Sequence, residues 1–215
     1  MIRHLADWLF PQKCILCRSL LSSQETDLCT KCRTGQPEYS YGLKKVPHIA
    51  DLTAVWRYSG DVRKSLHRYK FGNARQYAPV YGRLLAMRIL RDLPQADIIT
   101  WVPVSRKRLR ERGYDQVQLL AQAVSPELGI PAEPLLNKFR DNQPNSGLRT
   151  PEERRANVLG VYKAVGQERF CGKRVLLLDD IVTTGATASE CARVLLDAGA
   201  EEVIFAAVAA ATSSK

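Results

Sequence analysis

The chain has 215 residues, and its 32 Lys and Arg against 22 Asp and Glu give a formal net charge of +10. This length holds one domain of about 150 to 170 residues with a full hydrophobic core, plus one small module. No apolar stretch approaches the length of a membrane span, and no secretory signal is visible, so we expect a soluble, cytoplasmic protein without membrane insertion. The basic balance favours polyphosphate ligands or nucleic acid as partners.

Two Cys-x-x-Cys pairs stand near the amino terminus, Cys14 with Cys17 and Cys29 with Cys32, with eleven residues between them. Four thiols at this spacing predict a tetrahedral zinc site in which each pair forms one knuckle. Because four cysteines leave no open coordination position, the zinc is expected to serve structure or partner binding rather than catalysis. Structural disulfides or free thiols are the alternative, and a reducing cytosol disfavours the disulfides.

The spacer between the two pairs is shorter than the usual fifteen to twenty residues or so, which favours a small ribbon or treble-like knuckle over a full-sized zinc ribbon. Periodicity is then lost from Gly35 to Pro47, and we place a domain boundary there. The predicted domains are a four-cysteine module over residues 1–46 and a larger domain over residues 47–215. The module needs a metal because its own core is too small.

The middle of the chain predicts strands and helices in alternation. The predicted elements are a strand from Leu52 to Tyr58, helices from Asp61 to Phe71 and from Tyr77 to Leu90, and a strand from Ile98 to Val102.

Basic and aromatic side chains are interleaved between residues 57 and 75. A mix of this kind can stack bases while its cations follow a phosphate backbone, which predicts a nucleic-acid-binding surface. The predicted contacts are Arg63, Lys64, Arg68 and Lys70. Trp56, Tyr58, Tyr69 and Phe71 are the accompanying aromatics, and the alternative is that half of them belong to the core.

The strand from Ile98 to Val102 leads into a loop or short helix, Ser105 to Arg112, that is dense in guanidinium groups. Such a segment at the carboxyl end of a strand suits pyrophosphate, although charge runs are often solvated faces. Further on, residues 141–151 are polar and predict a mobile loop ahead of a strand from Val158 to Val165.

Residues 175–187 read VLLLDDIVTTGAT. A continuous apolar run predicts a parallel strand with both faces covered, and the spacing after the turn predicts a helix ending near Gly199. A second apolar strand, Val203 to Ala209, completes a strand-helix-strand unit whose ligand crevice lies at the carboxyl ends of the strands. The turn from Thr183 to Thr187 suits a terminal phosphate because backbone N–H groups at a helix N-terminus attract anions. Asp179 and Asp180 would then face ribose hydroxyls or a hydrated divalent cation.

This stretch resembles the phosphoribosyl diphosphate (PRPP) motif of type I phosphoribosyltransferases. The resemblance implies that Asp179 and Asp180 contact the ribose and that Thr183, Thr184, Gly185, Ala186 and Thr187 hold the 5-phosphate, with Ile181 and Val182 completing the motif. Ala186 stands where many members have a second glycine, which is a mild departure.

Cysteine knuckles joined to such a domain resemble the ComF family, which is associated with DNA uptake in competent bacteria. Between the two ends, the resemblance rests on three segments: residues 102–104 (VPV), residues 108–116 (RLRERGYDQ) and residues 154–158 (RRANV). The family usually has Asn where Asp115 stands. The implied fold is α/β, a mostly parallel type I phosphoribosyltransferase-like sheet flanked by helices, behind a small zinc-binding module.

The resemblance also implies the remaining site residues. Pyrophosphate is expected at Val104, Ser105, Arg106 and Arg112, and a closing lid is expected to bring Arg149, Arg154 and Arg155 to the diphosphate. The implied activity is binding of PRPP with Mg²⁺ and transfer of its phosphoribosyl group to an unidentified acceptor, with Asp179 and Asp180 as the catalytic acids. The alternative is an accessory protein of DNA uptake that senses PRPP and binds single-stranded DNA or a helicase-like partner.

Overall fold

The computed structural model describes residues 12–36, 38–39, 45–140 and 150–211. In chain order, its helices are α1 (Thr30–Gly35), α2 (Gly60–Phe71), α3 (Ala78–Asp92), α4 (Arg106–Arg112), α5 (Gln116–Leu128), α6 (Pro151–Val158) and α7 (Ala186–Asp197). Its strands are β1 (Leu52–Arg57), β2 (Ile98–Trp101), β3 (Leu136–Lys138), β4 (Tyr162–Ala164), β5 (Arg174–Val182) and β6 (Glu202–Ala210).

The main sheet has four strands in the order β1-β6-β5-β2, and every neighbouring pair is parallel. Strand β5 lies between β6 and β2, with Leu177 opposite Phe205 on one side and Thr100 on the other. The parallel sheet that the sequence predicts is confirmed. Its carboxyl edge carries the ends of β2, β5 and β6, where parallel α/β proteins place their ligands.

Helices cover both faces of this sheet. Leu176 and Leu178 of β5 belong to a core that includes α2, α3 and α5, whereas Val175 and Leu177 belong to a second core with α7. All four of these side chains are fully buried. The continuous apolar run is explained by this arrangement, because alternate side chains enter different cores and neither face meets water.

Close packing of α3 on α5 depends on one glycine. A Cβ added to Gly82 of α3 would lie 2.5 Å from the Cβ of Ala123 on α5. The two helix backbones therefore approach more closely than any larger residue at position 82 allows.

One predicted element differs from the structure. The segment from Val158 to Val165 is not a single strand, since Val158 ends helix α6 and only Tyr162–Ala164 forms a strand, which pairs antiparallel with β3. Helix α6 forms because Thr150 and Glu153 make a reciprocal capping box ahead of its first turn.

Helix α5 is absent from the sequence prediction. Asp115 caps its first turn by accepting hydrogen bonds from the backbone N–H groups of Val117 and Gln118, and Gly129 ends it in the left-handed region with φ of 68°.

The cysteine knuckles pack directly on the larger domain. Ile15 and Leu16 are buried in the same core as Leu66 and Tyr81. The Ile15 carbonyl accepts hydrogen bonds from Ser65 Oγ at 2.5 Å and Arg68 Nη2 at 2.8 Å. The boundary near residues 46 and 47 remains a prediction, while the described parts on either side of it share one core. None of the described helices combines the length and the apolar run that crossing a bilayer demands.

Candidate phosphate-ribose site and zinc centre

The candidate ligand site is a cavity of about 910 Å³ at the carboxyl edge of the main sheet. The wall contains every residue of the predicted PRPP motif: Asp179, Asp180, Ile181, Val182, Thr183, Thr184, Gly185, Ala186 and Thr187. Strand β5 delivers the two acids, and the turn after it leads directly into α7. The structure therefore gathers the whole predicted motif around one space.

Gly185 gives the turn its shape. Its φ of 76° lies in the left-handed region, which glycine adopts without strain, and it is the N-cap of α7. A Cβ at this position would lie 2.6 Å from Val46 Cγ2. Thr183 and Thr184 are exposed at the start of the turn. Their side-chain hydroxyls are therefore accessible to a ligand next to the positive end of α7.

The two acids have unequal surroundings. Asp180 is 2% exposed, and its Oδ1 pairs with Lys70 Nζ at 2.8 Å while its Oδ2 accepts from Gln116 Nε2 at 2.9 Å. Asp179 is half-buried, and Asp179 Oδ1 accepts from the Asp180 backbone N–H at 2.8 Å. Burial raises the pKa of Asp179 well above its ordinary value, the Asp180 carboxylate raises it further, and Lys70 opposes both.

The predicted pyrophosphate residues are dispersed. Val104 lines the cavity, but its backbone N–H donates to Asp115 Oδ2 at 3.2 Å. Ser105 is buried and caps α4 by accepting from the Arg108 backbone N–H. Arg106 lines a separate notch of about 180 Å³. Arg112 lines the main cavity and donates to Gln116 Oε1 at 2.9 Å.

The predicted lid falls partly outside the described residues, which include neither Arg149 nor residues 141–148. On α6, Arg154 lines the cavity, whereas Arg155 is exposed and is not part of its wall. Of the three predicted arginines, Arg154 is thus the one that the structure brings to the site.

The predicted nucleic-acid contacts do not form one continuous surface. Arg63 and Lys64 are exposed on α2, where Lys64 pairs with Asp61 at 3.1 Å. Arg68 instead donates to the carbonyls of the first cysteine knuckle, and Lys70 enters the cavity to pair with Asp180. Of the accompanying aromatics, Trp56 and Tyr69 are buried and Phe71 is 61% exposed.

Several cavity residues have no role in the sequence interpretation. Gln116 is the most important of them, because it joins Asp180 to Arg112. The same wall also contains His67, Lys138 and Tyr162, and it includes Tyr58 and Phe71, which the sequence had suggested for nucleic acid. Gln116 lies in residues 108–116, one of the segments on which the family resemblance rests. Nothing in the sequence shows that its side chain would contact Asp180.

The four paired cysteines form a compact cluster. The Sγ atoms of Cys14, Cys17, Cys29 and Cys32 all lie within 4.8 Å of one another, and Cys17 Sγ is 3.6 Å from Cys29 Sγ. A tetrahedral ion with Zn–S bonds of about 2.3 Å separates its sulfurs by about 3.8 Å. All four cysteines are free thiols. The cluster therefore fits a structural zinc ion.

Two segments of the chain match known families. Residues 118–215 match the family model described as phosphoribosyl transferase domain, and residues 5–40 match the double zinc ribbon domain. The short spacer predicted a small ribbon or treble-like knuckle rather than a full-sized zinc ribbon, and the matched family is the double zinc ribbon. Among solved structures, the chain is similar to glutamine PRPP amidotransferase from B. subtilis, with 24% identity and a TM-score of 0.44 over 65% of this chain and 30% of that one.

Similar proteins extend over most of the chain. Competence protein F of Haemophilus influenzae is 28% identical over 90% of this chain and 95% of its own length. DNA utilization protein YhgH of Salmonella typhi is 29% identical over 84% and 82%. Competence protein ComFC of Streptococcus pneumoniae is 29% identical over 83% and 74%. With these relatives, the two domain matches and a four-thiol cluster packed beside a parallel α/β domain, the chain is similar to the ComF family over most of its length.

Proposed function

We propose that the protein binds PRPP in the cavity at the carboxyl edge of β5 and transfers its phosphoribosyl group to an acceptor. The observation that carries the proposal is the gathering of all nine motif residues, Asp179 to Thr187, around one space. The turn offers a phosphate site at the N-terminus of α7. The half-buried Asp179 offers a carboxylate to ribose hydroxyls.

In the proposed reaction, a lone pair on the acceptor forms a bond to ribose C1. The bond from C1 to the diphosphate oxygen breaks, pyrophosphate leaves with the electron pair, and the acceptor gives up a proton. Positive charge develops on the sugar and negative charge on the leaving group, so Arg112 and Arg154 in the cavity wall stabilise the departing diphosphate.

In this proposal, the role of Mg²⁺ is to neutralise negative charge on the diphosphate. Carboxylate and phosphate oxygens are the donors that this ion prefers, and Asp179 is the more accessible of the two acids. Bound there together with PRPP, Mg²⁺ would supply charge neutralisation on the diphosphate.

The test is calorimetric titration of PRPP with Mg²⁺ into the wild-type protein and into the double variant Asp179→Asn, Asp180→Asn. We expect saturable binding that the double variant loses, while Glu201→Gln, on an exposed loop, binds as the wild type does. Release of pyrophosphate across a panel of bases and amines then tests transfer. Failure of the wild type to bind PRPP would refute the proposal.

A second candidate function is that of an accessory in DNA uptake, in which the PRPP pocket senses its ligand and the protein binds single-stranded DNA or a helicase-like partner. It is favoured by the names of the relatives, which refer to competence and to DNA utilization. The net charge of +10 agrees with it.

Titration of labelled single-stranded DNA at several salt concentrations tests the second function. Arg63→Ala with Lys64→Ala is the informative variant, because both side chains are exposed on α2 and neither lines the cavity. We expect weaker binding and a shallower salt dependence. Wild-type affinity in the double variant would exclude this part of α2 as the DNA contact.

A further inference from the structure

We infer that Lys70 is a ligand of the PRPP diphosphate and that Asp180 positions it, so that the two adjacent acids of the motif have different roles and Asp179 is the one that contacts the ribose. This inference rests on the proposed PRPP site. It replaces the expectation, implied by the resemblance, that both acids face the sugar.

Asp180 is already engaged within the protein. Each of its carboxylate oxygens has a partner, Lys70 Nζ at 2.8 Å and Gln116 Nε2 at 2.9 Å, and the residue is only 2% exposed. A buried carboxylate needs such partners, because an unpaired buried charge is strongly destabilising. Its surroundings are therefore those of an anchor for neighbouring side chains and leave little surface for a sugar hydroxyl.

Lys70 is held at the cavity wall from two directions. Its ammonium is fixed by Asp180, and the helix that carries it is fixed by the neighbouring Tyr69, whose hydroxyl donates to the Gln116 carbonyl at 2.6 Å. The Lys70 side chain keeps 20% of its surface exposed, and the residue lines the cavity. An ammonium has three N–H donors, and the bond to Asp180 uses one of them. Lys70 is thus preorganised to donate to a ligand in the cavity.

Asp180 also contacts a second cation, Arg112, indirectly through Gln116. Gln116 donates through Nε2 to Asp180 and accepts through Oε1 from Arg112 Nη1 at 2.9 Å. Asp180 therefore orients Lys70 directly and Arg112 through Gln116. Two aimed cations offset the repulsion that a diphosphate would meet near two carboxylates, and charge-assisted hydrogen bonds of this kind are the stronger ones.

The shape of PRPP matches this division. Its 5-phosphate and its diphosphate project from opposite ends of the ribose ring. The turn from Thr183 to Thr187, Asp179 and Lys70 all line the same cavity. With the 5-phosphate in the turn, the inference places the ribose beside Asp179 and the diphosphate at Lys70. Because Lys70 and Asp180 are joined in the free protein, this subsite exists before the ligand arrives.

The experiment separates the two halves of the ligand. Ribose 5-phosphate and magnesium pyrophosphate are titrated individually by calorimetry, beside PRPP with Mg²⁺, into the wild type and into Lys70→Met, Lys70→Arg, Asp179→Asn and Asp180→Asn. Lys173→Met, an exposed lysine at the amino end of β5, is the matched control. Melting temperatures identify any variant that is not folded.

We expect Lys70→Met to weaken pyrophosphate and PRPP by about 10- to 100-fold, as the loss of a charged hydrogen bond predicts, with unchanged affinity for ribose 5-phosphate. Lys70→Arg should recover part of the loss. Asp180→Asn should follow the Lys70→Met pattern, whereas Asp179→Asn should weaken ribose 5-phosphate. A general structural defect would weaken both half-ligands alike.

Two results would overturn the inference. One is wild-type affinity of Lys70→Met for pyrophosphate, and the other is equal loss of both half-ligands in Asp180→Asn while the protein stays folded. Either result leaves the proposed function standing if the wild type binds PRPP. Absence of PRPP binding to the wild type is the separate outcome that refutes the proposed function itself.

Discussion

Arg68 of α2 donates a 2.8 Å hydrogen bond to the carbonyl oxygen of Ile15, which lies between the first two cysteines of the zinc cluster. A second bond from the same guanidinium reaches the Leu16 carbonyl at 2.7 Å. Two residues further along the chain, Lys70 pairs with Asp180 in the cavity. One helix therefore contacts the zinc knuckle and the ligand site together.

Loss of zinc should destabilise the whole protein rather than the cysteine module alone. Cys14→Ser, or removal of the metal by a chelator, releases Ile15 and Leu16 from the core that they share with Leu66. We expect one cooperative unfolding transition at a clearly lower temperature, followed by circular dichroism with the zinc content measured in parallel. Cys171→Ser, at an exposed thiol outside the cluster, is the control. A larger domain that melts as before would contradict the prediction.

Gly185→Ala should weaken PRPP binding through two separate effects. The φ of 76° strains any residue with a Cβ by about 1 kcal/mol or more, and the new methyl would lie 2.6 Å from Val46 Cγ2. Gly172→Ala is the control for backbone strain, because Gly172 has a φ of 68° but an added Cβ would meet nothing within 4 Å. Gly172 does not line the cavity, so this variant should bind PRPP as the wild type does.

Adding Val46→Ala to Gly185→Ala isolates the contact from the backbone strain. The double variant should recover part of the lost affinity in calorimetry, because the smaller side chain makes room for the new methyl group. If both variants bind PRPP equally weakly, the contact with Val46 does not matter.

Asp115 should matter as a helix cap and as a tie between two segments. Its Oδ1 accepts from Val117 N at 2.9 Å and its Oδ2 from Val104 N at 3.2 Å. Asp115→Ala should lower the free energy of unfolding by about 1 kcal/mol or more, measured by urea denaturation. Asp115→Asn keeps a capping oxygen for Val117 but turns an amide NH2 toward the Val104 N–H, which then loses its acceptor. We therefore expect its free energy of unfolding to lie between those of the wild type and Asp115→Ala.

Glu190 should contribute to the acid sensitivity of α7 and of the segment after α6. Desolvation alone would raise the pKa of Glu190, but hydrogen bonds from Arg193 and from the Gly160 backbone N–H outweigh it and hold the pKa below its ordinary value. The unfolded chain then binds the proton at higher pH than the folded chain does. The stabilisation is therefore complete above the ordinary carboxyl pKa and is lost as the pH falls through the lowered one.

The check is the difference in unfolding free energy between the wild type and Glu190→Gln across the acid range. We expect that difference to shrink as the pH falls. Glu168→Gln, at a side chain that is 78% exposed, should show no such trend. A constant difference at every pH would mean that the ionisation of Glu190 does not contribute.

The sequence predicts the centre of the fold well because its signals there are local. Strands β5 and β6 are continuous apolar runs, and the turn at Gly185 is a short motif whose residues all act within a few positions of one another. The spacing of the two Cys-x-x-Cys pairs is by itself enough to predict a zinc site. The capping box of Thr150 and Glu153 is a local signal of the same kind for the start of α6, but that helix was not predicted.

The roles of Lys70 and Arg68 could not be predicted because they depend on distant partners. Lys70 pairs with Asp180, which also accepts from Gln116, 64 residues away in the sequence. Arg68 donates to Ile15 from 53 residues away. In the sequence, both cations belong to the mix of basic and aromatic residues that predicts a nucleic-acid-binding surface. Only the packing of α2 between the knuckle and the sheet turns one toward the zinc cluster and the other toward the acids.

Removal of the cysteine module would therefore leave a damaged surface on the remaining domain. A chain beginning at residue 47 would lack the Ile15 carbonyl, which accepts from the fully buried Ser65 hydroxyl at 2.5 Å. It would also uncover the apolar side chains of Leu66 and Tyr81, which share a core with the knuckle. Such a fragment should aggregate, because newly exposed apolar surface of this kind promotes association. Assays of the ligand site therefore require the intact protein.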